Sequence, residues 1–407
     1  NLAFDKSKAN SRKNWLLNYS FNDILNANEK NIKYSDFINK ELKHFSYYDL
    51  LRSIPSMIDG LKPSQRKIMF ACFKRKLLKE IKVAQLSGYV SEHAAYHHGE
   101  MSLNGAIVGL AQDYVGSNNI SLLYPSGQFG SRLQGGTDSA SPRYIFTKLS
   151  KITSKIYLES DLELLKYQYD DGMKIEPNFY VPIIPMVLIN GCKGIGTGWS
   201  TSIPPHNPLH VIEQIENYVN NKPIKNLKPW FRNFKGIIER ENDEDETKYI
   251  TKGICQLENR NKVRITELPI GVWTLNYKEY LEKQIKLGKI GLLNFEDNST
   301  DTNIDILLIF DPLKLERLQP RQKPHEFYNK IGLISKKRSS YSNMHLFNSK
   351  GIITKYKNTS EIIIDFCNVR KQLYEVRYNN ELQKLKNKQD LADEKRRFIE
   401  EVVNQTI

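Results

Sequence analysis

Arg143 and Tyr144 stand side by side and are the first residues whose types could do chemistry. A tyrosine hydroxyl has an ordinary pKa of about 10, so it is a poor nucleophile unless a cation or a metal stabilises the phenolate. Arg143 could stabilise an attacked phosphate through two parallel hydrogen bonds. A tyrosine next to an arginine is usually structural. The pair becomes a candidate active site only with the segments that precede it, which are a basic helix, a histidine pair and glycine-rich loops.

The adjacent histidines His97 and His98 form a second candidate site. His93 and His97 are four residues apart and could share a helix face as metal ligands. However, no third ligand is suitably spaced, and Glu100 is not placed as in the HExxH motif. Two interpretations therefore stay open for His97 and His98. They contact a phosphate, or they are buried histidines with satisfied hydrogen bonds.

A glycine-rich segment at residues 191–199 surrounds Ile195. It matches neither GxGxxG nor GxxxxGK[ST], which excludes a dinucleotide site or a P-loop there. With Gly194 and Gly196 on either side, the backbone could approach a partner closely while Ile195 projects, as apolar wedges do between DNA base steps. The alternative is a set of tight turns around an isoleucine of the core.

Two helices separated by a short break precede the histidines. Apolar residues recur at helical spacing in 34–45 and 50–58, and Asp59-Gly60 breaks the pattern. A new helix is predicted from Lys62, with Pro63 in its first turn. Residues 52–82 hold nine basic and two acidic side chains. This order is typical of a helix-turn-helix, and a helical hairpin with a solvated charged face is the alternative.

The middle of the chain is less regular. Residues 104–147 alternate short apolar segments with glycine-rich turns, which predicts short strands and loops, as in the wing of a winged helix. From Pro182 onward we expect a mixed α/β domain with strands at 262–268 and 304–310 and a helix at 277–287.

Two charged segments follow different patterns. The acidic run 239–246 predicts a solvated loop, and its Asp243–Asp245 portion is discounted as a metal site because no apolar strand delivers it. From Glu361 the chain is predicted to be helical to its end. Apolar residues at 366, 369, 373 and 376 favour one half of a coiled coil, and an ordinary surface helix is the alternative.

The composition restricts the possible partners. The 407 residues carry a net charge of +14 with a pI near 9.3, which makes a polyanion the first partner to consider. No apolar stretch approaches the roughly twenty residues of a membrane span. Four scattered cysteines argue against a zinc cluster and favour a reducing compartment. The start has neither an initiator methionine nor a signal peptide, so we expect a piece of a longer protein.

In their order along the chain, these motifs resemble the type IIA DNA topoisomerases, and their eukaryotic form more than the bacterial gyrase protein. The resemblance rests on six segments, at residues 52–67, 96–100, 115–120, 141–147, 194–200 and 265–269.

The resemblance implies an α+β, multidomain fold. Residues 1–33 would be an entry arm from an upstream TOPRIM domain, and 34–178 a winged-helix DNA-gate domain with its helix-turn-helix. Residues 179–360 would form a mixed α/β tower domain, and 361–407 the first part of a coiled coil.

The resemblance also implies roles for individual residues. Tyr144 would be the nucleophile that becomes linked to a 5′ phosphate of DNA, with Arg143 as its cationic partner. Ile195 would wedge between bases. The family positions that contact DNA correspond to Arg52, Asp59, Lys62, Arg66, Lys67, His97 and His98.

The implied enzyme is an ATP-dependent homodimer that acts on double-stranded DNA in the nucleus, with no membrane partner. Its Mg²⁺ and ATP would bind in upstream TOPRIM and ATPase domains, with no metal site among residues 1–407, so this chain alone is predicted to be inactive. The alternative is a non-catalytic architectural module that binds and bends DNA. A tyrosine recombinase would need dispersed arginines and histidines around the tyrosine in a different order.

Overall fold

The computed structural model describes residues 2, 5–26, 30–242 and 244–404, in which helices and short antiparallel strands alternate. The helices are α1 (Ala9–Leu17), α2 (Tyr34–Asp36), α3 (Lys43–Ser53), α4 (Pro63–Lys74), α5 (Val83–His93), α6 (Glu100–Ala111), α7 (Thr153–Ile156), α8 (Glu159–Leu162), α9 (Met186–Ile189), α10 (Pro208–Val219), α11 (Thr274–Leu287), α12 (Pro312–Arg317), α13 (Pro324–Lys330) and α14 (Thr359–Val403). A 3₁₀ turn (Lys6–Lys8) precedes α1, and a π-helical segment (Phe37–Leu42) joins α2 to α3.

The strands pair in small antiparallel sheets. They are β1 (Ile81–Lys82), β2 (Leu123–Ser126), β3 (Phe146–Leu149), β4 (Tyr167–Asp170), β5 (Met173–Pro177), β6 (Cys192–Gly196), β7 (Trp199–Ile203), β8 (Ile237–Asn242), β9 (Asp245–Lys252), β10 (Ile254–Leu257), β11 (Lys262–Glu267), β12 (Leu292–Asp297), β13 (Ile306–Phe310), β14 (Ser339–Ser340), β15 (Met344–Phe347) and β16 (Ile353–Tyr356). The largest sheet has the order β10-β11-β13-β12, and a three-stranded sheet has the order β1-β3-β2.

The predicted helix, break and basic helix are confirmed, with one changed boundary. The first helical stretch is continuous from Tyr34 to Ser53 and does not extend to residue 58. It ends because Ile54 precedes a proline and takes an extended conformation, with φ −98° and ψ 123°. Helix α4 begins at Pro63, as expected, and the Gln65 side chain accepts a hydrogen bond from the Lys62 backbone N–H at its start.

Two predictions from sequence are wrong in detail. Residues 100–111 form a helix and not short strands, because Leu103, Ile107 and Leu110 recur at helical spacing on one buried face. The acidic run is not a solvated loop, since it is shared by the paired strands β8 and β9. Lys252 on β9 forms an ion pair with Glu239 on β8. Asp243 lies outside the described residues.

The apolar side chains form two large cores. The first joins helices α4, α5 and α6 to β15 and to the beginning of α14, with Ile68, Ile107, Leu346 and Phe366 among its buried members. The second is formed by α11 and the four-stranded sheet around Leu308. The predicted strands at 262–268 and 304–310 and the predicted helix at 277–287 are confirmed in this second core. The division of the chain into four segments stays a prediction.

The chain's C-terminal part is one long helix, as predicted. Asn358 caps α14 by accepting a hydrogen bond from the Glu361 N–H at 2.9 Å. The first turns of α14 are buried through Ile362 and Phe366, whereas its later apolar side chains, such as Leu385, are exposed. The fold is therefore of mixed α and β composition with a long C-terminal helix. Among the described helices, none is long and apolar enough to cross a membrane.

Candidate active site

Tyr144 presents its side chain to solvent from a tight turn. It is 75% exposed, and its N–H donates to the Ser141 carbonyl at 2.9 Å. Arg143 is also exposed. Within the described part of the chain, neither the Arg143 nor the Tyr144 side chain has a hydrogen bond or an ion pair. Both functional groups are therefore free to meet a substrate.

The backbone on both sides of Tyr144 is fixed to the first turn of α5. The Pro142 carbonyl accepts from the Ala84 N–H at 3.1 Å, and the Ile145 carbonyl accepts from the Val83 N–H at 3.0 Å. These N–H groups at the start of a helix have no partner within the helix itself, so the turn satisfies them. The result is an exposed side chain on a fixed backbone position.

A second site is a groove of about 750 Å³, and Tyr144 is not among the residues that line it. Arg52, His97 and His98 line it together, although 45 residues separate Arg52 from His97 in sequence. Lys350, from the turn between β15 and β16, lines the same groove. Three cationic or protonatable groups predicted from the sequence thus lie in one depression, with one lysine that the sequence did not indicate.

Each histidine of the pair is held by a different element. His98 lies 3.2 Å from the Tyr48 hydroxyl of α3 through Nε2, and His97 Nε2 lies 3.1 Å from Asp170 Oδ2 at the end of β4. Burial lowers the pKa of His98, and the positive charges of Arg52, His97 and Lys67 lower it further. Both histidines are exposed, so the interpretation of buried histidines is wrong, and both can reach a ligand in the groove.

Asp59 and Arg66 are not on this surface, in contrast to the place expected for DNA contacts. They are 0% and 6% exposed, and Arg66 donates to both carboxylate oxygens of Asp59, at 2.8 and 3.0 Å. Arg66 also donates to the Leu61 carbonyl, and Asp59 accepts from the Tyr180 N–H. Their charges hold the break between α3 and α4 together, because a buried charge is tolerated only when it is paired.

The two predicted lysines differ in their freedom. Lys67 is largely enclosed, because its Nζ donates to the Ala94 carbonyl at 2.6 Å and to Glu176 Oε2 at 2.9 Å. Lys62 is only half-buried at the start of α4. Lys67 still lines the groove, so it contributes positive charge there, but its ammonium already has two acceptors.

Ile195 projects from the hairpin of β6 and β7 and is 86% exposed. The alternative of a core isoleucine is therefore wrong. The flanking glycines are needed, because a Cβ on Gly194 would lie 2.0 Å from the Ser53 carbonyl oxygen of α3. This close approach places the hairpin directly against the helix that carries Tyr48 and Arg52.

Sequence analysis missed the residues that hold the groove together. Tyr48 and Asp170 carry no motif of their own, and their partners become clear only when α3 and the β4–β5 hairpin approach the histidine pair. Lys350 lies in an Asn-Ser-Lys-Gly turn, and such a turn signals a change of direction and no ligand.

The described residues do not form a metal centre. No group of three or more histidine, cysteine, aspartate or glutamate side chains among them could hold a metal ion. Helix α5 ends at His93, so His93 and His97 do not share a helix face. The glycine-rich segment forms the β6–β7 hairpin and no phosphate-binding loop before a long helix. Neither Mg²⁺ nor ATP fits the described residues, so we derive no step through either.

Comparison with known proteins assigns nearly all of the chain. The sequence model of the DNA gyrase/topoisomerase IV family, built on the A-type polypeptide of those enzymes, matches residues 52–407. The C-terminal associated domain of TOPRIM matches residues 1–50.

Named relatives agree with these matches. DNA topoisomerase 2 of Plasmodium falciparum is 43% identical over 99% of this chain and 28% of its own length. DNA topoisomerase 2 of Arabidopsis thaliana is 46% identical over 98% of this chain and 27% of its own. This chain thus spans little more than a quarter of either relative.

A solved structure shares the fold. The crystal structure of the Plasmodium falciparum topoisomerase II DNA-binding, cleavage and re-ligation domain superposes with a TM-score of 0.91 at 42% identity, and the alignment covers 100% of this chain and 54% of that one. With family models matching at both ends, the chain belongs to the DNA topoisomerase 2 family.

Proposed function

We propose that this chain is the DNA-cleaving and rejoining part of an ATP-dependent type II DNA topoisomerase, with Tyr144 as the nucleophile. The observation that carries the proposal is the exposed Tyr144 hydroxyl beside the exposed Arg143, on a backbone fixed to α5. The likeness to the Plasmodium cleavage and re-ligation domain over the whole chain supports it.

The chemistry is a reversible transesterification. Tyr144 Oη attacks a backbone phosphorus, a P–Oη bond forms, and the bond to the 3′ oxygen breaks. The phenol proton is lost to solvent, and the departing 3′ oxygen takes up a proton. The 5′ phosphate stays bound to the tyrosine, and Arg143 can hold its oxygens through charge-assisted hydrogen bonds. Because one phosphodiester replaces another, the reverse attack by the 3′ hydroxyl reseals the strand without a new energy source.

The groove and the β6–β7 hairpin serve to bind and bend the duplex. Arg52, Lys350 and the histidine pair present positive or protonatable groups that suit backbone phosphates. The exposed Ile195 is suited to insert between base steps, which bends DNA at a cost that depends on its deformability. Selection of a cleavage site would then follow DNA flexibility more than base contacts.

The larger assembly is also part of the proposal. Residues 34–178 act as a winged-helix DNA gate, 179–360 as a tower, and the exposed apolar side chains of α14 pair with a second helix in a coiled coil. Two copies form a homodimer that cuts both strands. Mg²⁺ would stabilise charge on the reacting phosphate, and both Mg²⁺ and ATP would be bound by TOPRIM and ATPase regions of the same enzyme. Action in the nucleus follows from the family resemblance.

The second candidate is an architectural module that binds and bends DNA without cutting it. It is favoured by one observation, since the groove and Ile195 form a surface that does not include Tyr144.

Covalent adducts distinguish the two functions. The full-length protein that contains this chain is incubated with end-labelled duplex, denatured, and tested for label that remains on the protein. Tyr144→Phe removes the nucleophilic oxygen, so adducts are expected to disappear while DNA affinity stays unchanged. Tyr169→Phe, at another exposed tyrosine, is the matched control and should keep them. Adducts that survive Tyr144→Phe would refute the assignment of the nucleophile, and a wild-type protein that bends DNA without forming adducts would support the architectural module.

A further inference from the structure

Ile195 can act as a wedge only if its hairpin is held in a fixed direction. An apolar side chain that inserts between bases must resist the force of the bent duplex, and a hairpin of two short strands is weak by itself. The structure offers several contacts between this hairpin and its surroundings, and they divide its strands from its turn.

The strands of the hairpin are fixed at their base and along one side. A Cβ on Gly196 would lie 3.0 Å from Leu50 Cδ2, so the side of β6 opposite to Ile195 rests on α3. Successive residues of a strand point to opposite faces, and this contact therefore turns Ile195 away from α3. On β7, Asn343 and His345 bind the side chain and the carbonyl of Ser200.

The turn of the hairpin is held by one carboxylate. Asp49 Oδ2 on α3 accepts from the Thr197 N–H at 2.8 Å and from the Thr197 hydroxyl at 2.9 Å. Thr197 follows Ile195 by two residues and occupies the turn with Gly198, whose φ is +76°. Among the described residues, Asp49 is the side chain that hydrogen-bonds to Thr197.

We propose that Asp49 is a positioning residue, which fixes the hairpin turn and so aims Ile195 into the DNA. Asp49 lies three residues before Arg52 on the same helix. One turn of α3 therefore sets both the groove that holds the backbone and the direction of the side chain that bends it. This inference rests on the proposed function of the chain as a DNA-bending and cleaving protein.

The test compares bending with binding. A short duplex labelled at both ends reports its bend angle by energy transfer, and fluorescence anisotropy reports affinity for the same duplex and for one with a central gap. The gapped duplex bends with little cost, so it needs the wedge less. Asp49→Ala is expected to reduce end-to-end energy transfer on the intact duplex to the level of Ile195→Ala, with unchanged affinity for the gapped duplex.

Three further variants make the result specific. Asp49→Asn keeps an oxygen that can accept from Thr197 and should restore bending. Glu41→Ala removes the same charge from the same helical stretch at an exposed side chain and should bend DNA as the wild type does. Asp49→Ala combined with Ile195→Ala should be no worse than Ile195→Ala alone, because both changes remove one function.

The possible failures are distinguishable. If the wild-type chain binds DNA but does not bend it, the proposed bending function is wrong. If the wild type bends DNA and Asp49→Ala bends it equally, Asp49 does not position the wedge. A loss of affinity for both duplexes, or a failure of Asp49→Asn to restore bending, would mean that Asp49 serves the stability of the fold and would also overturn the inference.

Discussion

The Arg66 guanidinium donates two hydrogen bonds to the Asp59 carboxylate, with Nε to Oδ2 at 2.8 Å and Nη2 to Oδ1 at 3.0 Å, and both side chains are buried. Asp59 also accepts from the Leu61 and Tyr180 N–H groups. The pair thus ties the break after α3 to the start of α4 and to a strand-like segment over a hundred residues later.

Removal of one partner from this pair should strongly destabilise the fold. Arg66→Met leaves the Asp59 charge buried without its cation, which is expected to lower the free energy of unfolding by about 3–5 kcal/mol. Urea unfolding measures the change. Arg143→Met, at an exposed arginine, is the control and should change stability by less than about 0.5 kcal/mol. A small effect of Arg66→Met would show that the pair does not stabilise this region.

Two glycines should respond to alanine in opposite directions. Gly194→Ala places a Cβ about 2.0 Å from the Ser53 carbonyl oxygen, so we expect a loss of about 1–3 kcal/mol from forced movement of the hairpin. Gly105 lies within α6 with open space around its Cβ position, and Gly105→Ala should stabilise the fold by about 0.5–1 kcal/mol. Thermal unfolding of both variants checks the signs, and a stabilising Gly194→Ala would contradict the close packing of β6 on α3.

Arg52 should contribute to DNA affinity through a phosphate contact. The logarithm of affinity falls with the logarithm of salt concentration by about 0.9 for each phosphate contact on duplex DNA, so Arg52→Ala should reduce this slope by about that amount. Titrations by anisotropy at several salt concentrations measure it. Arg397→Ala, which removes the same charge from an exposed position on α14, should leave the slope unchanged. An unchanged slope for Arg52→Ala would remove this residue from the DNA contacts.

His206 should make the fold sensitive to acid. It is fully buried, Nδ1 contacts the Leu188 carbonyl at 2.7 Å, and Nε2 contacts the Tyr341 hydroxyl at 2.8 Å. A carbonyl can only accept, so Nδ1 carries the proton. Burial lowers the pKa of His206 from 6.5 to about 4, and the Leu188 hydrogen bond opposes this shift.

The sign of the pH dependence follows from this shift. Above pH 6.5, histidine is neutral in both the folded and the unfolded state, so the full stability is present. As the pH falls from 6.5 towards 4, only the unfolded state takes up the proton, so stability is lost. Between about pH 7.5 and about pH 5 the loss from His206 should be about 2 kcal/mol. Urea unfolding at both values should show a smaller difference for His206→Gln than for the wild type, while His210→Gln, at an exposed histidine, keeps the full difference.

Local patterns predicted the elements well where one physical preference dominated. Pro63 and the basic run after it predicted the start of α4, and the apolar spacing from Phe366 to Val376 predicted α14, because both signals act within a few residues. Residues 104–111 were assigned wrongly to strands and loops. Gly105 and Gly109 suggested turns there, but burial of Leu103, Ile107 and Leu110 on one face outweighs the low helix propensity of glycine.

The candidate site divides in the same way. The sequence by itself determined the motifs, the family and the side chains able to do chemistry, namely Tyr144 with Arg143, the histidine pair and Ile195, since residue type and local spacing are properties of the chain. Only the tertiary structure decided which of them face solvent. It buried Asp59 with Arg66, exposed Ile195, and brought Asp49 to the turn at Thr197, 148 residues away. The reason is physical: burial and hydrogen-bond partners depend on which distant segments pack together, and no local pattern contains that information.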